Sequence, residues 1–123
     1  YLSMKNDLSF MFGVVMNLYE HQSIAFMIAD MATKVKAARE LVYDAAVTKD
    51  TGGNSTLASS MAKYYASEIC NEVAAKALQI HGGYGFVRGF KIERLYRDCR
   101  VFTIYEGTSQ VQQMVIAGQL LKK

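Results

Sequence analysis

One carboxylate in the sequence stands where proton chemistry is possible. Glu106 follows the apolar run Val101-Phe102-Thr103-Ile104-Tyr105 and precedes Gly107-Thr108-Ser109, which has the composition of a helix start. The dipole and free N–H groups of a helix N-terminus favour negative charge, so a carboxylate there is commonly structural. The same placement suits a general base. A glycine beside it lets a ligand approach closely, and first-turn N–H groups can bind an oxyanion. Periodicity does not separate these two readings.

Other chemistries find less support. His21 and His81 lack a glutamate three residues before them, so the di-iron bundle motif is missing. Cys70, Cys99 and the two histidines are not at zinc-ligand spacings, and no metal is expected. Gly83-Tyr84-Gly85 with Gly89 has the wrong spacing for a dinucleotide fingerprint and follows a helical pattern rather than a strand. A helix C-cap and loop accounts for it.

The elements that position Glu106 are predicted to be helices. Ile24, Ile28, Met31, Val35, Ala38, Val42 and Ala45 recur at alternating spacings of four and three, which predicts a helix from Ser23 to Lys49. It ends at Asp50-Thr51-Gly52-Gly53-Asn54. Ser55 or Thr56 is the expected cap of the next helix, with Ala62, Tyr65, Ala66, Ile69, Val73, Ala77 and Ile80 inward. That helix closes at His81-Gly82-Gly83-Tyr84-Gly85. A short helix is expected over Lys91–Arg97, and an extended or single-turn link over Val101–Tyr105. A last helix opens at Gly107-Thr108-Ser109, with Val111, Met114, Val115, Gly118 and Leu121 inward. The first twenty residues show no clean period, and a helix broken near Phe12-Gly13 is expected. The fold class is all-α: an antiparallel four-helix bundle in one domain over residues 1–123.

Composition agrees. The 123 residues are 51% hydrophobic and 20% charged, the balance of a globular chain, and they include no proline. A net charge of +3 and no basic stretch interleaved with aromatics speak against nucleic acid. No apolar run reaches the roughly 20 residues of a membrane span, and no signal peptide opens the chain. Two cysteines without a CxxC pair indicate free thiols in a reducing compartment.

Three segments resemble one family. Gln79-Ile80-His81-Gly82-Gly83-Tyr84-Gly85 is similar to its Gln-Ile-x-Gly-Gly-x-Gly segment. Glu93-Arg94-Leu95-Tyr96-Arg97-Asp98 is similar to its Glu-Arg-x-x-Arg-Asp segment. Ile104-Tyr105-Glu106-Gly107-Thr108-Ser109-Gln110 resembles its active-site motif. Their order and separations are those of the C-terminal helical domain of acyl-CoA dehydrogenases. The resemblance runs from Tyr19 to Leu121, and the Glu in Tyr-Glu-Gly-Thr is like that of the short-, medium- and short-branched-chain types.

The resemblance implies an FAD-dependent α,β-dehydrogenation of an acyl-CoA thioester. Glu106 falls at the position of the base that removes the α-proton while the β-hydrogen leaves as hydride to the flavin. Expelling water as an acyl chain binds would strengthen a carboxylate as a base. The backbone N–H of Glu106 and a flavin hydroxyl would hold the thioester carbonyl. Tyr105 and Gly107 would flank the substrate. Thr108, Ser109 and Gln110 would meet the flavin. Gln79, Ile80, His81, Gly82 and Gly83 would meet the adenosine and pyrophosphate end of FAD bound mainly by a neighbouring subunit. Gln22 and Phe12 match further FAD contacts. Glu93, Arg94, Arg97 and Asp98 would form structural ion pairs. A homo-dimer or homo-tetramer, an electron-transferring flavoprotein as partner, and the bacterial cytoplasm or mitochondrial matrix are implied likewise.

The sequence also departs from the family. Its N-terminal helical domain and β-barrel have no counterpart here. The Arg-x-x-Phe-Gly motif is broken, with Ser9 at the Arg position before Phe12-Gly13, and the stretch from Gly13 to Gln22 is two residues longer. An alternative function follows: a stand-alone helical assembly module without catalysis, exposing the faces that the missing domains would cover. A dehydrogenase-like fold recruited to another role is a third reading, which an intact Glu106 opposes.

Overall fold

A long alanine-rich stretch without internal glycine or proline favours helix. In the computed structural model, which describes residues 18–121, that stretch is helix α1, Gln22–Asp50. Its end is set by Thr51, whose N–H and hydroxyl both bond the Val47 carbonyl, and by Gly52 at φ +77°. The chain reverses into α2, Ser55–Ile80. The cap is Asn54 rather than the expected Ser55 or Thr56: its side-chain oxygen accepts the Thr56 N–H at 3.2 Å. The helix starts one residue earlier than that expectation needed, so the cap falls on the last turn residue.

His81 closes α2, and a 3₁₀ segment, Gly82–Phe86, folds back on its last turn. Helix α3 is Lys91–Cys99, a 3₁₀ turn covers Arg100–Thr103, and α4 is Ser109–Leu120. These bounds match the expected four helices closely, and the link before Glu106 is the single-turn form. The break expected near Phe12-Gly13, and Phe12 itself as a cofactor contact, lie outside the described residues. Among those described, no helix is long and apolar enough to cross a membrane.

Helix α2 is the common spine. α1 runs antiparallel to it, and α3 then α4 pack antiparallel along its second and first halves. The pairs Asp30–Lys76 and Lys34–Glu72 set the first register. Asn71 to the Cys99 carbonyl, Ser109 to Glu68, and Gln113 to the Tyr64 hydroxyl set the others. Met31, Ala77 and Ile80 form a buried cluster, backed by Leu18, Ile24, Met27, Ile28, Val73 and Ile92. Alanines on α2 let the helices approach closely.

Two expected faces differ. Val35 and Val42 of the α1 stripe stay largely exposed, and Val35 and Ala38 line an open apolar groove of about 620 Å³ between α1, α2 and α3. On α4, Val115 is half-buried as expected, but Val111, Met114, Gly118 and Leu121 are exposed, Met114 at 72%. The inward positions are Ser109, Gln112, Val115, Ile116 and Gln119. Hydrogen bonds rotate this helix: Glu68, Tyr64 and Asn54 take Ser109, Gln113 and Gln119, which turns the more apolar side outward.

Charge also ties α1 to α2. Lys34 and Lys76 each contact both Asp30 and Glu72, at 2.5–3.0 Å. Lys76 and Lys34 hold the Asp30 carboxyl below its usual range, Lys34 and Lys76 do the same for Glu72, and both ammonium groups are held above theirs. The carboxylates' contribution is present above their unfolded pKa and is lost as pH falls through the lowered folded values. The lysines' contribution is present below their unfolded pKa and is lost as pH rises through the raised ones. Thermal melts of Lys76→Met should therefore show a smaller loss of Tm than the parent between pH 6 and acid. An equal acid loss in both proteins would exclude this network as a source of the pH dependence. The groups are partly open to solvent, so added salt should weaken the effect.

Candidate active site

The link between α3 and α4 carries unusual backbone. Glu106 has φ +53° and Gly107 φ +86°. The left-handed region costs a residue with a Cβ about 1 kcal/mol, so the surroundings must hold Glu106 there.

The holding contacts come from two helices. From α2, Lys63 Nζ donates to the Gly107 carbonyl at 2.6 Å. From α4, Gln112 Nε2 donates to the carbonyls of Glu106 and Gly107 at 3.2 and 3.4 Å. Thr108 caps α4 by accepting the Val111 N–H, and the buried Ser109 donates its hydroxyl to Glu68 at 2.5 Å. On the N-terminal side, the Tyr105 N–H bonds the Val101 carbonyl, and the Tyr105 ring lies 5.8 Å from that of Phe102. In a trans peptide the N–H points opposite the C=O. With the Glu106 and Gly107 carbonyls turned toward Gln112 and Lys63, the N–H groups of Gly107 and Thr108 face the other way. The Glu106 side chain is exposed.

The expected site residues fall into two groups. Tyr105, Glu106, Gly107, Thr108, Ser109 and Gln110 are contiguous and sit against the middle of α2. Gln79, Ile80, His81, Gly82 and Gly83 lie at the C-terminal end of α2. The antiparallel register of α1 brings Gln22 to that same end. Glu68 and His81 are thirteen positions apart along α2, roughly 20 Å at 1.5 Å per residue, so the two groups do not meet within this chain.

Several of these side chains are committed to the fold. Ile80 is in the core cluster. His81 is buried, with Nδ1 2.7 Å from the Ala77 carbonyl. The Ser109 hydroxyl is taken by Glu68. These three can offer a ligand their backbone more readily than their side chains. Gln79, Gly82 and Gly83 are exposed, and a Cβ built on either glycine meets nothing within 4 Å. That bare edge suits close approach by a flat or phosphate-bearing group. The first-turn N–H groups of Ser109 and Gln110 suit a polar edge. The residues present therefore fit FAD as two separate contact surfaces.

Burial pushes the thiols of Cys70 and Cys99 up, and both are free, so neither is a ready nucleophile. Of the expected ion pairs, Arg97 binds Glu93 through Nε at 2.6 Å. Sequence reasoning missed Lys63, Glu68 and Gln112. A signal existed for Lys63: with Ser67 and Asn71 it recurs every fourth residue along α2, a polar ridge needing partners.

Comparison with known proteins decides the family. Residues 12–121 match the model for the acyl-CoA dehydrogenase C-terminal domain. This chain belongs to the acyl-CoA dehydrogenase family. It is 70% identical over 104 residues to the caffeyl-CoA reductase–Etf complex subunit CarC of Acetobacterium woodii, covering 85% of this chain and 27% of that protein. It is 57% identical over 101 residues to the 3-(aryl)acrylate reductase of Clostridium sporogenes, covering 82% and 27%. Among solved structures it superposes on butyryl-CoA dehydrogenase from Megasphaera elsdenii with a TM-score of 0.91 at 39% identity, covering 98% of this chain and 32% of that one. The chain thus spans about a quarter of the length of the curated relatives it matches. The all-α bundle is the C-terminal helical domain of this family of oxidoreductases.

Proposed function

We propose that these residues are the C-terminal domain of a longer FAD-dependent enzyme acting across Cα–Cβ of an acyl-CoA thioester, with Glu106 as the proton-transferring carboxylate. The observation that carries this reading is the left-handed Glu106 beside Gly107, held at the start of α4 in a chain of this family. In dehydrogenation, the Glu106 carboxylate accepts the α-proton. In reduction, protonated Glu106 returns it. The backbone N–H of Glu106 holds the thioester carbonyl and stabilises charge that develops on its oxygen. Gly107 leaves room for substrate, and Tyr105 flanks it. Bound FAD supplies the acceptor or donor of the β-hydride. Gln22, Gln79 and the Ile80–Gly83 backbone contact its adenosine and pyrophosphate end, and Thr108, Ser109 and Gln110 contact the flavin end.

Reduction is the second reading of the direction, favoured because two close relatives are named reductases. The name of the first includes Etf, which supports an electron-transferring flavoprotein as partner. Separation of the two FAD-contact groups along α2 supports a homo-dimer or homo-tetramer in which one subunit's α2 end serves the other's flavin. The relatives' bacterial hosts favour the bacterial cytoplasm over the mitochondrial matrix.

The test is the intact mass and visible spectrum of the native gene product, followed by anaerobic assays in both directions. A subunit several times longer than this chain, a flavin spectrum, and bleaching by a saturated acyl-CoA or reoxidation by an enoyl-CoA are expected. A colourless product of this chain's size, self-associating and binding apolar dye, would establish the stand-alone assembly module instead. The exposed Phe26, Tyr43 and Val47 on α1 are the surfaces that such a module would use.

A further inference from the structure

The Glu106–Gly107 step is stabilised by a residue far from it in sequence. Lys63 lies forty-four positions before Gly107, yet its ammonium sits 2.6 Å from the Gly107 carbonyl and is partly buried there. A charged donor makes the stronger kind of hydrogen bond, and partial burial shields it from water. Gln112, on α4, holds the same carbonyl and its predecessor. A Cβ on Gly107 would lie 2.7 Å from Gln112 Nε2, so this amide occupies the space closely.

We propose that Lys63 is a positioning residue for proton transfer at Glu106: with Gln112 it clamps the Glu106 and Gly107 carbonyls and so fixes the left-handed backbone from which the carboxylate projects. This inference rests on the proposed role of Glu106 and adds what holds it. Lys63 touches neither substrate nor flavin. Its effect runs through the peptide plane. The clamp draws both carbonyls toward α2 and α4, which turns the Gly107 and Thr108 N–H groups outward and selects one direction for the Glu106 side chain. Without Lys63 the backbone relaxes toward ordinary conformations, and the carboxylate leaves its line to the α-carbon. Ser109 bonded to Glu68 anchors the start of α4 independently, so the helix itself should persist.

The experiment uses the full-length flavin-loaded enzyme and rates normalised to bound FAD. Lys63→Met should lower kcat by about 10²-fold, the scale on which a misplaced catalytic group costs rate, while KM changes little. The rate of flavin bleaching in a single anaerobic turnover should fall with kcat. Lys63→Arg, which keeps a charged donor, should recover most of the rate. Gln112→Leu should show the same split in smaller measure, and it decides the matter if Lys63→Met does not load FAD. A kcat within about twofold of the parent in Lys63→Met, or in Gln112→Leu where that variant decides, overturns the proposal, because misplacement costs far more than this. So does a loss in Lys63→Met that Lys63→Arg does not relieve. A fully active Glu106→Gln measured alongside would instead overturn the assignment of Glu106, and the two failures are thereby told apart.

Discussion

Glu106→Gln in the full-length enzyme should lower turnover by about 10²–10⁴-fold, the usual contribution of a positioned general acid or base. Glutamine keeps the size of the side chain and one carbonyl oxygen, but it neither accepts nor returns a proton at neutral pH. Its backbone can occupy φ +53° at a cost like that of glutamate. The clamp from Lys63 and Gln112 acts on main-chain carbonyls, so it survives the change. Flavin content, oligomeric state and Tm should therefore match the parent, while substrate-induced flavin bleaching is lost. Dehydrogenation and reduction should fall together, because both directions pass through the same transition state. A variant that keeps both would point to another proton carrier.

Gly85→Ala should cause the largest loss of stability among single additions of a methyl group. A Cβ at Gly85 would sit 2.7 Å from the Leu78 carbonyl oxygen and 2.9 Å from Leu78 Cγ. The first neighbour is backbone in the last turns of α2 and cannot swing aside. Either the 3₁₀ segment Gly82–Phe86 lifts off α2 or the helix end distorts. Overpacking of this kind costs about 1–3 kcal/mol, or several degrees of Tm. Gly118→Ala is the control. A Cβ there meets nothing within 4 Å, and Gly118 lies inside α4. Alanine in a helix interior gains about 0.5–1 kcal/mol over glycine, so this change should hold or raise Tm. Equal melts for the two variants would mean that the segment does not pack on α2 as described. Because Gly82 and Gly83 belong to the same segment, Gly85→Ala should also weaken FAD retention.

Local patterning determined most of the architecture. A 4–3 apolar rhythm, a run free of proline and internal glycine, and a glycine-rich reversal at Gly52-Gly53 leave the chain little choice but two long antiparallel helices. Helix bounds follow, because start and stop signals act within a few residues. Glu106 was also legible as a candidate, since a carboxylate between an apolar run and a glycine-led helix start is a local arrangement, and the motif around it carried the family resemblance.

Tertiary structure decided what no window of sequence contains. The rotation of α4 is one such feature: its apolar residues are spread around the helix, so periodicity points Val111 and Met114 inward, whereas the Ser109–Glu68 and Gln113–Tyr64 bonds, across forty-one and forty-nine positions, fix which side docks. The left-handed backbone of Glu106 was invisible for the same reason. Local preference argues against it, and the contacts that hold it, from Lys63 on α2 and Gln112 on α4, form only once the helices have packed. The two expected cofactor surfaces were separated by the length of α2 between them, a distance that motif spacing does not encode. Sequence acts through propensity over a turn or two of helix. The geometry of a proton-transfer site depends on donors and acceptors that meet only after the helices have packed.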